Sequence, residues 1–130
     1  MVELYYVGLF ALLIVATILI QQLTSMFAFG LKPILGSRED VTFTGLTGRL
    51  ERAILNSAIS MTLFAPSVLI LGIANVSTTQ TVIASQIFVF ARLVYVISYG
   101  LNITLVRSAG WIVGLLCILT LYYNVLNLPI

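Results

Sequence analysis

The chain has 130 residues, of which 61% are hydrophobic and 8% charged, with no histidine and one cysteine. A water-soluble domain would carry about 25% charged residues, so this composition places the chain in a membrane. Without histidine, and with Cys117 alone, it offers no zinc site, no histidine-held haem, no Ser/His/Asp triad and no internal disulfide. A net charge of +2 from six basic and four acidic residues is too small and too scattered for a nucleic-acid footprint.

Crossing a hydrocarbon core of roughly 30 Å takes about 20 helical residues. Between Glu3 and Lys32 the chain carries no charge. This run has no basic segment ahead of it and is long for a cleaved signal peptide, so it reads as a retained first span at about residues 4–29. Residues 53–91 are also uncharged and too long for one crossing. The polar and β-branched stretch Asn75-Val76-Ser77-Thr78-Thr79-Gln80 is the predicted turn, which gives spans at about 52–74 and 81–102. The uncharged run after Arg107 supplies a fourth span at about 108–128. Lipid offers no partner to unpaired backbone groups, so every crossing is predicted helical. The fold class is an all-α integral membrane protein, one four-helix bundle over residues 1–130.

The charges orient the bundle. Lys32, Arg38, Arg49 and Arg52 lie in or beside the first connection and Arg107 ends the third, whereas the second has no basic residue. The positive-inside rule puts connections one and three in the cytoplasm and both termini on the non-cytoplasmic side. Tyr5 and Tyr6 then share the outer interface with Tyr122 and Tyr123, as an aromatic belt would. The only sizeable polar segment is the connection at residues 33–48.

Arg92 lies about ten residues from the cytoplasmic end of its span, roughly 15 Å deep, where a charge needs a partner. Tyr95 and Tyr99 follow on the same helical face. Arg52 and Asn56 form an i, i+4 pair on span two that Ser60 extends inward, and Arg107 and Ser108 open span four at the same level. These groups converge on the cytoplasmic half of the bundle and suggest a pocket for an anion. The plainer reading stands beside it: Arg92 and Asn56 as hydrogen-bonding glue between helices, Arg52 and Arg107 as headgroup anchors, Tyr95 and Tyr99 as packing. Cys117 reads as an inert small hydrophobe. A small proton-coupled exporter needs an acidic group inside the membrane, and Glu3, Glu39, Asp40 and Glu51 all fall at or beyond span ends.

The run Gly45-Leu46-Thr47-Gly48-Arg49-Leu50-Glu51-Arg52-Ala53-Ile54-Leu55-Asn56, followed by Leu63-Phe64-Ala65-Pro66, resembles the span-two signature of the membrane-associated proteins in eicosanoid and glutathione metabolism, the MAPEG family. Ala91-Arg92-Leu93-Val94-Tyr95 with Tyr99, and Val106-Arg107-Ser108 with Trp111, resemble its spans three and four. The resemblance covers nearly the whole chain. It implies a homotrimer with glutathione as co-substrate, held between subunits near the cytoplasmic face, and an apolar electrophile or lipid hydroperoxide arriving from the membrane lipid. Carried over by position, Arg52 and Asn56 would line the glutathione site, Arg92 would support it from below with Tyr95 beside it, and Tyr99 would contact the tripeptide. Arg107 and Ser108 would lie nearest the sulfur as catalytic groups, with no metal. A guanidinium there would stabilise the nucleophilic thiolate. The family's span-two motif is Asn-x-x-Glu, whereas Ile59 stands at that last position here and Leu55 replaces a polar residue. This departure sets a second reading beside the first: a non-catalytic protein of the same fold that binds a lipid or a partner helix.

Overall fold

The computed structural model describes residues 1–129. It contains α1 (Val2–Phe29), a single turn α2 (Lys32–Leu35), α3 (Gly45–Ile73), α4 (Thr79–Gly100) and α5 (Thr104–Leu126), with no strand among the described residues. The four long helices are each long and apolar enough to cross a membrane, as a multi-pass integral membrane protein requires. Most of their large apolar side chains lie on the outer surface of the bundle, where lipid tails replace water as solvent.

Three helix starts differ from the sequence expectation by a turn or more, one of them that of α5, which opens at Thr104 rather than at 108. The second long helix begins at Gly45, two turns ahead of the predicted start at Arg52. The polar segment there is one face of an amphipathic helix end: Thr47, Gly48 and Leu50 are buried, and the Thr47 hydroxyl donates to Thr24 Oγ1 of α1 at 3.1 Å. Gly48 packs so closely on the preceding loop that a Cβ would lie 2.5 Å from the Phe43 carbonyl oxygen. The single turn α2 falls inside what reads as a loop and starts with proline in its first turn, where the missing N–H costs no helical bond.

Both tight connections end a helix in the same way. After α3, Asn75 adopts φ 54°, with Val76 N–H donating to Leu71 O and Asn75 N–H to Gly72 O. After α4, Asn102 adopts φ 60°, with Ile103 N–H donating to Ser98 O and Asn102 N–H to Tyr99 O. These are Schellman endings in which asparagine takes the left-handed position usually held by glycine.

Helix α4 packs against α1, α3 and α5, and α3 also touches α1 and α5. Between α1 and α5 there is no comparable packing among the described residues, so these two occupy opposite corners. Lipid tails are as apolar as leucine, so association rests on close packing and hydrogen bonds rather than on burial from water. Phe64 and Phe88 stack at 4.0 Å with Phe10 edge-on to both, at 6.2 and 4.9 Å. Val68, Leu71, Ala84, Cys117, Ile118 and Leu121 complete this core. Gly110 and Gly114 let α5 approach α4: a Cβ at Gly110 would lie 3.0 Å from the Ala91 carbonyl oxygen.

The buried face of α1 is largely polar: Glu3, Thr17, Gln21 and Ser25 alternate with Phe10 at steps of seven and four. Glu3, which the sequence places simply at a span end, is fully buried and accepts from Ser77 Oγ at 2.8 Å and from Thr81 Oγ1 at 2.6 Å. Thr78 and Thr81 form a reciprocal capping box at the start of α4. One carboxylate therefore ties the start of α1 to the α3–α4 connection and the first turn of α4.

Candidate functional site

The three-residue connection after Gly100 makes α4 and α5 a tight hairpin. It brings the last turn of α4 against the first turn of α5, and so Tyr99 against Arg107. Arg107 Cζ stands 4.7 Å from the Tyr99 ring centroid. From α3, Arg52 approaches the same ring at 6.0 Å, and its Nε–H donates to the Tyr99 hydroxyl at 3.3 Å. Tyr95 meets Tyr99 edge to face at 5.5 Å. An open groove of about 440 Å³ runs between these groups, lined by Tyr95, Tyr99, Arg107, Ser108, Trp111 and Ile112. One end carries guanidinium and hydroxyl groups, and the other is the apolar wall of Trp111 and Ile112.

Of the residues singled out from sequence, Tyr95, Tyr99, Arg107 and Ser108 line the groove, and Arg52 borders it through Tyr99. The Ser108 hydroxyl donates back to Thr104 O at 3.0 Å. Asn56 and Arg92 do not line the groove; they stand behind it. Arg92 is 1% exposed, its Nη2 donates to Asn56 Oδ1 at 2.9 Å and to Ser57 Oγ at 3.0 Å, and its Cζ lies 4.1 Å from the Tyr95 ring centroid. Arg92 thus joins α4 to α3 and stands behind Tyr95 of the groove wall. Arg92 Nε is buried without a hydrogen-bond partner among the described residues.

Ile59 is 62% exposed, on the outside of α3, and so is Leu55 at 60%. At about 100° per residue, positions 57 and 59 lie roughly 200° apart around the helix. The side chain at 59 therefore points away from Arg92 within the chain, and Ser57 supplies the oxygen instead. Ser57 and the groove wall of Trp111 and Ile112 are what sequence reasoning left out as site residues. Trp111 follows Arg107 by four residues, a spacing that could have placed it on the same face; Ser57 carried no such signal. Arg49 is near the site but spent elsewhere, its Nε–H donating to the Gly100 carbonyl at the end of α4 at 3.1 Å. The hydrogen bonds of Arg49, Arg52 and Arg92 go to carbonyl, hydroxyl and amide oxygens, which leaves an excess of positive charge at this end of the bundle.

The family model of the MAPEG family matches residues 2–127, nearly the whole chain, and the protein belongs to that family. No curated protein and no solved structure matched the chain at the level taken as significant.

Proposed function

We propose that this protein is a glutathione transferase-like membrane protein, which holds glutathione as co-substrate at the Arg52–Tyr99–Arg107 groove and activates its thiolate toward an apolar electrophile or lipid hydroperoxide. The observation that carries the reading is that Arg52 and Arg107 both stand against Tyr99, the one on its hydroxyl and the other over its ring, at the polar end of a groove whose other end is apolar. Glutathione brings two carboxylates, which suit guanidinium donors, and a thiol that becomes nucleophilic as the anion. Arg107, half-buried beside the groove, lowers the energy of that anion, and the Ser108 hydroxyl lies one residue away. Trp111 and Ile112 receive the apolar partner, which reaches the groove from membrane lipid.

In this reading the arginine-rich end faces the cytoplasm, both termini lie on the opposite side, and the working unit is a homotrimer with glutathione between subunits. Exposed apolar faces such as Leu55, Ile59 and Leu63 on α3 are available to a neighbouring copy.

Calorimetric titration of the detergent-solubilised protein with glutathione tests the proposal. Binding in the micromolar to millimolar range, reduced at least tenfold by Arg107→Ala, is the expected result. A folded, uniformly sized wild type that takes up no glutathione overturns it and turns attention to a lipid or partner helix as the ligand.

A further inference from the structure

Arg92 occupies the point where all four long helices meet. Phe10 of α1 lies 5.9 Å from its Cζ, Asn56 and Ser57 of α3 accept from its Nη2, and Tyr95 of α4 lies against its face. On α5, the missing side chain of Gly114 leaves room for its Cδ, 3.5 Å from where a Cβ would stand. A buried guanidinium is costly unless it is paired. Here its hydrogen-bond partners among the described residues are an amide and a hydroxyl, both neutral. Arginine stays protonated, so a full unit charge remains inside the bundle, one aromatic ring behind the groove wall. Charges at a wet surface are screened by water and salt, whereas a buried charge is screened much less.

We propose that Arg92 acts on the groove through Tyr95 as a standing, unneutralised positive charge, and that Ser57 and Asn56 are positioning residues that anchor it without cancelling it. Such a charge makes the groove a trap for anions before any ligand arrives, and it favours a bound thiolate over a thiol. The identity of the anion as glutathione rests on the function proposed above; the charge behind the wall does not.

The chain contains a single tryptophan, and that residue, Trp111, lines the groove, so its fluorescence reports from the groove. Quenching by iodide, an anion, is compared with quenching by neutral acrylamide in the full-length protein. Ser57→Asp sets a carboxylate against Arg92 and cancels its charge, whereas Ser57→Ala removes an anchor and leaves the charge in place. Asn56→Asp introduces the same carboxylate with almost no change of shape, and it decides the matter if Ser57→Asp fails to fold.

The ratio of iodide to acrylamide quenching is expected to fall severalfold in both aspartate variants and to hold in Ser57→Ala. An unchanged ratio in the aspartate variants overturns the proposal, as does an equal fall in Ser57→Ala, which would mark a purely structural role. With glutathione bound, the thiolate fraction at fixed pH should fall roughly tenfold in Ser57→Asp, the scale of one unit charge acting across about 10 Å of protein. A wild type that binds no glutathione counts against the function proposed above, while the iodide ratio still decides this inference.

Discussion

Arg107 Cζ stands 4.7 Å over the ring of Tyr99, although the two residues belong to different helices. What joins them is the short α4–α5 turn, made possible by Asn102 in the left-handed region. The contact is cation–π in character, worth about 0.5–2 kcal/mol depending on how well water is excluded, and Arg52 adds a hydrogen bond to the hydroxyl of the same ring.

This arrangement separates the ring of Tyr99 from its hydroxyl. Tyr99→Phe loses one long hydrogen bond at 3.3 Å and should change glutathione affinity by less than about threefold. Tyr99→Ala removes the surface on which both guanidiniums rest and should weaken binding by roughly tenfold or more. Calorimetry on the two variants, with size-exclusion profiles to show unchanged assembly, checks the order.

The α4–α5 contact makes a prediction for two glycines one helical turn apart. A methyl group at Gly110 meets the Ala91 carbonyl oxygen at 3.0 Å, while at Gly114 it meets Arg92 Cδ at 3.5 Å, ordinary van der Waals contact. Gly110→Ala should therefore destabilise the protein by about 1–3 kcal/mol through overpacking against backbone, and Gly114→Ala by clearly less. Thermal unfolding in detergent ranks them.

At the opposite end of the bundle, Glu3→Ala takes away the acceptor shared by Ser77 and Thr81. Leaving those hydroxyls to find other partners should cost about 1–3 kcal/mol and free the start of α1. Hydrogen exchange should then rise at residues 2–10 and 77–82 with little change around Tyr99. A uniform rise along the whole chain would show that Glu3 holds more than this one corner.

Four helices were legible because lipid leaves so little choice: long uncharged runs must cross as helices, and the polar stretch around Asn75 had to be a turn. The start of α3 was not, because Gly45 to Glu51 looks like loop by polarity while Thr47, Gly48 and Leu50 pack inward. At the site, residue type and helical spacing led to Arg52, Tyr95, Tyr99 and Arg107, which do gather around one groove. One partner of Arg92, Asn56, was legible as interhelical glue, but the second, Ser57, was beyond that reasoning. Spacing along the motif directs attention to position 59, yet the rotation of α3 turns Ile59 outward and Ser57 inward. Rotation about a helix axis is set by packing against its neighbours, and an all-apolar outer face gives the sequence little amphipathic signal from which to read it. The carboxylate latch at Glu3 was hidden for a related reason, since a charge in the first turn of a span ordinarily reads as exposed.

In the function proposed above, the groove stabilises a glutathione thiolate through Arg107. The most direct measurement is the ultraviolet thiolate absorbance of glutathione bound to the purified protein, followed across pH for wild type and Arg107→Ala. A thiolate band is expected in the wild type well below the pH at which free glutathione ionises, and its loss in the variant with folding and assembly unchanged. A wild type whose bound glutathione ionises like the free tripeptide, or a band that survives in Arg107→Ala, would contradict it.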